Sequence, residues 1–227
     1  MNVLIVGSSG MVGQGVLRAC LRAEDVQHIV LLVRTPQAVP PDARIRQIVA
    51  PDLRHFTAAG QDLAALDACF FCAGVSALGM SEADYRKITL ETTLHIARAL
   101  AVENPELHFV YVSGAGADSS EQGNTMWARV RGETENALFA SPLPVTVLRP
   151  AFILAEAGIR SKTPLYRLMY GVLRPLMLGL GKILPWQALT TADIGHAMLN
   201  TVRQHQGGEI LTAKAIAARA QMVPTPE

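Results

Sequence analysis

An apolar strand that runs directly into a glycine-rich turn opens the chain. Asn2 to Val6 is followed by Gly7-Ser8-Ser9-Gly10-Met11-Val12-Gly13, and a second apolar run, His28 to Val33, ends on Arg34. That order predicts strand, turn, helix, strand: the start of a βαβ unit. Gly7 permits the tight turn, Gly10 lets backbone N–H groups approach a pyrophosphate, and Gly13 lets the helix pack close to the sheet. The stretch Gly7, Ser8, Ser9, Gly10, Met11, Val12, Gly13 is therefore the expected phosphate cradle. About 20 residues beyond such glycines an acidic side chain would bond the adenosine ribose of NAD. Here the next strand ends on Arg34 instead. A cation there suits the 2′-phosphate of NADP, so NADPH is expected to be preferred over NADH.

With 227 residues, half of them apolar, the chain buries one sizeable core and is expected to form one domain. Twenty basic residues balance 19 acidic ones with no long run of either sign. Nucleic acid is therefore not an expected partner. No basic leader precedes the first strand and no uncharged run of 18 apolar residues occurs, so the default expectation is a cytoplasmic protein without a membrane span. Cys69 and Cys72 spell a CxxC, but on a strand residues three apart point to opposite faces about 10 Å apart, beyond the roughly 7 Å reach of a disulfide. The six histidines show no metal-ligand spacing, and no metal site is expected.

Short apolar runs recur at Val3 to Val6, Ile29 to Val33, Ile45 to Val49, Ala68 to Cys72, Phe109 to Val112 and Val145 to Leu148. Each has the length of a buried parallel strand. Helical patterns lie between them: Met11 to Ala23, a short one near Gln61 to Leu66, a long one near Glu82 to Glu103, and Thr125 to Phe139. This alternation predicts an α/β fold, a doubly wound parallel sheet of the Rossmann type. Residues 1–221 are expected to form it, with 152–190 as a small substrate-side cap, a helix over Thr191 to Arg203, a closing strand near Glu209 to Leu211, and 222–227 as a frayed tail.

Right-handed crossovers place the ligand crevice at the carboxyl ends of the strands, so the loops that follow them carry the candidates. Asp52 and Leu53 are expected to frame an adenine, although a plain strand-end turn explains them equally well. Cys72, Ala73 and Gly74 would pass the ribose and nicotinamide side. Ser113 and Pro150 follow the fifth and sixth strands, and Phe152 is expected to wall a substrate pocket.

In this order the motifs GSSGMVG, CAG, VSGAG, RGETE and LRPAFI resemble the short-chain dehydrogenase/reductase superfamily. They are most similar to its atypical branch, which includes Tat-interacting-protein-like oxidoreductases and small NAD(P)H-binding epimerase-like proteins. The resemblance runs from about Asn2 to Met198 and implies a Rossmann domain holding NADP(H). It also implies a reducing site in which a serine orients the carbonyl, a tyrosine donates a proton, and a lysine four residues later holds the ribose. Ser113 matches the serine. Trp127 and Arg131 stand where tyrosine and lysine would be. An indole N–H does not titrate near neutrality, so Trp127 is expected to wall the substrate pocket while Arg131 bonds the ribose.

None of the four tyrosines has a lysine four residues on. Tyr166 and Tyr170 lie in the apolar stretch Lys162 to Pro185, and Tyr166 is the candidate proton source, with Tyr170 and water as alternatives. Simple packing of an i, i+4 aromatic pair is the competing reading. Two functions therefore stay open. One is an NADPH-dependent reductase or isomerase of a small apolar carbonyl compound. The other is a non-catalytic NADP(H)-sensing regulator or assembly factor that binds a protein partner through the apolar stretch, with peripheral membrane contact as a further use of that surface.

Overall fold

The computed structural model describes residues 1–61, 63–159, 188–204 and 207–222. Seven parallel strands form the main sheet: β1 (Asn2–Val6), β2 (His28–Val33), β3 (Ile45–Val49), β4 (Ala68–Phe71), β5 (His108–Val112), β6 (Val145–Arg149) and β9 (Glu209–Thr212), in the order β3-β2-β1-β4-β5-β6-β9. Every adjacent pair is parallel. The order reverses between β1 and β4, which opens a crevice at their carboxyl ends. This is the doubly wound parallel sheet expected from the alternation of apolar runs.

Alternation along each strand divides the core in two. In β1, Val3 and Ile5 join one buried cluster while Leu4 and Val6 join the other. The first cluster is covered by α1 (Met11–Arg22), α5 (Thr191–Arg203) and α6 (Ala213–Ala220), the second by α3 (Thr92–Glu103) and α4 (Met126–Phe139). Cys69 and Cys72 fall on these opposite sides, as their spacing on one strand requires.

Helices α1 and α5 touch through small residues. A Cβ on Gly15 would lie 2.5 Å from Thr191 Cβ, and one on Gly195 would lie 2.6 Å from Ala19 Cβ. Helix α5 starts on a capping box in which Thr190 Oγ1 accepts from the Asp193 amide and Asp193 accepts from the Thr190 amide at 2.7 Å.

Three expectations are corrected. The short helix near Gln61 to Leu66 does not form among the described residues; Leu66 N–H closes a turn on Leu63 O at 3.2 Å instead. Two buried leucines three residues apart are satisfied by one turn, and a helix this short cannot repay its nucleation. The long helix near Glu82 to Glu103 is present in three parts: α2 (Glu82–Arg86), a wide π-turn over Lys87–Glu91, and α3. The end of the chain carries α6, which was not expected, and Met222 is tied down by Asn200 Nδ2, which donates to its carbonyl at 2.9 Å. Of the expected cap, β7 (Phe152–Leu154) and β8 (Ala188–Thr190) pair in parallel and join its two ends. Residues 160–187 lie outside the described residues, as do 223–227 of the expected tail.

Candidate active site

The glycine turn takes the form its residues dictate. Gly7 sits at φ +86°, where an L side chain is strained, and a Cβ there would lie 2.6 Å from the Ala73 amide nitrogen. A Cβ on Gly13 would overlap the Gly7 carbonyl oxygen. Helix, turn and the end of β4 therefore meet backbone to backbone. Gly10 is the N-cap of α1 and no side chain caps the helix, nor does an acidic residue occupy its first turn. The orphan amides of Met11, Val12 and Gly13 leave a donor set suited to a phosphate.

Ser8 is buried and its hydroxyl donates to Gln37 Oε1 at 3.1 Å, which brings the loop after β2 to the glycine turn. Gln37 and Gln47 exchange two further hydrogen bonds, of 2.9 and 2.8 Å, that brace this loop against β3. Arg34 lies in the same loop, exposed, with no ion pair among the described residues. Ser9 turns the other way, its carbonyl accepting from Gln14 Nε2 at 3.1 Å.

Asp52 and Leu53 occupy a different setting. The Asp52 carboxylate caps a single 3-10 turn and takes two bonds from the Arg54 guanidinium, at 3.0 and 2.7 Å. Those bonds hold its pKa well below the usual carboxylate range. Asp52 borders a cavity of about 270 Å³ beyond β3 with Pro51, His55 and Phe56. Leu53 does not line it; its side chain packs on the core.

A second cavity, of about 590 Å³, lies at the carboxyl ends of β4, β5 and β6. Ser113, Pro150, Trp127 and Arg131 all line it, together with Tyr85, Met126 and the loop from Val75 to Gly79. Cys72 and Ala73 sit at its β4 edge, where the Cys72 amide donates to Val6 O at 2.8 Å; burial pushes the Cys72 thiol well up. Among the described residues a Cβ on Gly74 would have only Arg131 Nη2 within 4 Å, and one on Gly114 would meet nothing, so with respect to these residues both glycines present open backbone. Phe152 does not line the cavity among the described residues and is 48% exposed. It lies on β7, in the small sheet. Tyr166, the candidate proton source, lies outside the described residues.

Ser113 has a partner that was not foreseen. Its hydroxyl donates to Glu135, a wholly buried carboxylate on α4, which also accepts from Arg149 Nε at 3.0 and 3.2 Å and from Arg149 Nη2. Arg149 in turn reaches Ser119 Oγ at 2.6 Å. Arg131 donates through Nε to the Tyr85 hydroxyl at 3.1 Å and through Nη1 to Val112 O at 3.3 Å. Tyr85 carried no motif in the sequence; only the fold brings α2 against α4.

The donor set of the glycine turn, the open backbone of Gly74 and Gly114, and the cation of Arg131 beside the end of β5 suit a dinucleotide laid across the switch point. Among the described residues no group of acidic, cysteine and histidine side chains could hold a metal ion, and no helix is long and apolar enough to cross a membrane.

Comparison with known proteins agrees with this geometry. A family model described as NAD(P)H-binding matches residues 7–168. Protein fmp52, mitochondrial, of Emericella nidulans is 29% identical over 165 residues, 68% of this chain and 68% of that protein. Protein FMP52-1, mitochondrial, of Scheffersomyces stipitis is 28% identical over 179 residues, 78% of this chain and 77% of that one. Among solved structures, gox2253 has a TM-score of 0.69 at 13% identity, covering 98% of this chain and 76% of its own. MoeE5 in complex with UDP-glucuronic acid and NAD has a TM-score of 0.67 at 17% identity, covering 94% and 76%. These structures share the fold. The cytoplasmic expectation is corrected by the two relatives, both named as mitochondrial proteins. Charge balance never bore on the point, because such addresses are read by receptors and not written in the composition of the folded domain.

Proposed function

The chain belongs to the NAD(P)H-binding family, and from that premise we propose that it is an NADPH-dependent reductase of a small, largely apolar carbonyl compound. The observation that carries the reading is the 590 Å³ cavity at the carboxyl ends of β4, β5 and β6, whose lining mixes apolar side chains with Arg131, Tyr85 and Ser113. When bound, the dinucleotide supplies hydride. Gly7 to Gly13 would hold its pyrophosphate on the amides of α1, and Arg131 would take the nicotinamide ribose. Arg34, exposed beside a loop that Ser8 and Gln37 tie to the glycine turn, would pair with the 2′-phosphate.

Trp127 and Met126 give the pocket its apolar wall, which favours a substrate with little polar surface beyond its carbonyl. A second reading draws on one specific observation: Trp127 occupies the place of the usual acid, and a cleft without an acid would sense NADP(H) without turning it over. Fluorescence titration with NADPH and NADH, followed by a panel of small aldehydes and ketones with NADPH oxidation as the readout, separates the two. Turnover of a panel member supports the reductase; tight NADPH binding with no turnover supports the sensor.

A further inference from the structure

We propose that Tyr85 is the proton donor of this site, held by Arg131, so that the acid and its cation come from two helices instead of one. The proposal rests on the reductase reading and adds the residue that completes it. Reduction of a carbonyl forms one C–H and one O–H bond; the hydride is the dinucleotide's, and the chain must supply the proton.

The cavity lining narrows the choice. Among the described residues that line it, the hydroxyls are those of Ser76, Tyr85 and Ser113, and Tyr85 and Arg131 are the titratable side chains. The Ser113 hydrogen is committed to the buried Glu135. Ser76 Oγ accepts from the Leu78 amide at 3.3 Å in an exposed loop, and an aliphatic hydroxyl is a poor acid. Arg131 stays charged. That leaves the phenol.

Its geometry suits the task. The Tyr85 oxygen accepts from Arg131 Nε at 3.1 Å, and among the described residues its own hydrogen finds no acceptor. The hydrogen is therefore available to a carbonyl oxygen. Arg131 is fixed from behind by Val112 O, so the oxygen it holds is placed and not merely nearby. Tyr85 is only 1% exposed and packs with Leu90 and Val130, which puts it on the inner wall of the cavity, where a hydrogen bond is poorly screened by water.

The π-turn that follows explains why a tyrosine on α2 faces this way. One inserted residue rotates the preceding turn by about 100° against a regular helix, and such turns recur at functional sites. In the reaction the Tyr85 O–H bond breaks, the proton passes to the substrate oxygen, and the phenolate left beside the Arg131 guanidinium is reprotonated from solvent.

The test uses Tyr85→Phe, which keeps the ring and removes the hydroxyl, with three readouts. Turnover on the carbonyl panel is expected to fall at least 100-fold while NADPH affinity stays within twofold, which also shows that the cleft remains folded. A short-chain carboxamide, whose carbonyl accepts a hydrogen bond but is not reduced, is expected to bind the NADPH complex about tenfold more weakly. Adding Trp127→Tyr to Tyr85→Phe puts a phenol back four residues before Arg131 and is expected to restore part of the turnover. Turnover within threefold of the unmodified protein in Tyr85→Phe overturns the assignment and leaves the reductase reading standing. If the unmodified protein reduces no panel member, the reductase reading falls and the proton-donor role falls with it.

Discussion

Ser113 on the loop after β5 and Glu135 on α4 are joined by a hydrogen bond that runs from the serine hydroxyl to a carboxylate with no exposed surface. Glu135 is in turn paired with Arg149 at the end of β6, so one buried acid ties the carboxyl ends of two strands to the helix that carries Trp127 and Arg131. This arrangement positions the cavity more than it performs chemistry. Glu135→Ala leaves the Arg149 guanidinium, with 20% of its side chain exposed, without its partner. Removing one member of a buried pair costs about 3–5 kcal/mol, and the partial exposure of Arg149 puts the expected loss near the lower end. Urea denaturation is the measurement, and a loss under about 1 kcal/mol would show that water takes over the role of the carboxylate.

A related expectation concerns Gly132, two turns from the amino end of α4. A Cβ there would overlap the Asp118 carbonyl oxygen, on the loop whose Asp118 amide donates to Ala128 O at 2.9 Å. Alanine is the better helix former by about 1 kcal/mol, yet forced overpacking costs about 1–3 kcal/mol, and against a backbone oxygen the upper part of that range applies. Gly132→Ala should therefore destabilise by about 2 kcal/mol net, read as a lower Tm. An unchanged or higher Tm would mean that the Asp118 loop gives way freely.

Much of the fold was legible because its signals are local. The strands of the main sheet announce themselves as short apolar runs bounded by turn residues, and the glycine turn is written in seven consecutive positions. What escaped is what depends on tertiary contact. Gly15 and Gly195 look like ordinary helix glycines until α1 and α5 are laid together. Helix α6, eight residues rich in alanine, has little signal of its own and is held by Ile216 in the core and by Asn200 Nδ2, which donates to Arg219 O at 2.9 Å. The same holds for the site. Arg131 was visible through its spacing from Trp127, whereas Tyr85 lies 46 residues earlier and meets Arg131 only because α2 packs on α4. Glu135 was visible only as a letter in RGETE, since burial and pairing are not properties of a motif.

Asp25 gives an expectation for pH. Its carboxylate takes two bonds from Arg203, at 3.1 and 2.6 Å, and these hold its pKa below the ordinary value of 3.8. A depressed pKa in the folded state stabilises the protein above the unfolded value and loses that contribution as pH falls through the folded one. The effect is thus present at pH 7, begins to fade as pH falls to about 4, and is lost as pH falls through the lower, folded value. Because Asp25 is 46% exposed, the pair contributes on the order of 0.5 kcal/mol. Asp25→Asn should lower Tm slightly at pH 7 and by less at pH 2.5; an equal loss at both would point to packing and not to charge.

Arg34→Glu is expected to reverse the dinucleotide preference. The charge reversal replaces attraction for a 2′-phosphate by repulsion and supplies an acceptor for the free ribose hydroxyl of NADH. NADPH affinity should fall at least tenfold and NADH affinity should rise, measured by calorimetric titration. Equal affinities for the two dinucleotides in the unmodified protein would remove Arg34 from the site.

Trp127 separates a wall from an acid. Half-buried at the start of α4, its ring lies against Gly116, whose Cβ, if present, would stand 3.4 Å from Trp127 Cη2. An indole N–H does not release its proton near neutral pH, so Trp127→Phe should keep turnover within a few-fold while shifting KM through the change in pocket shape. The double change Trp127→Tyr with Arg131→Lys installs a phenol and an ammonium four residues apart on one face of α4, the spacing at which two side chains lie together. Arg131→Lys alone gives up the donor at Nε that holds the Tyr85 hydroxyl, so the phenol added at 127 must compensate for whatever that loss costs. Turnover in the double variant above that of Arg131→Lys, with no gain in NADPH affinity, would mean that the added phenol acts only in the transition state. Loss of all activity in Trp127→Phe with folding and NADPH affinity intact would instead make the indole part of the chemistry.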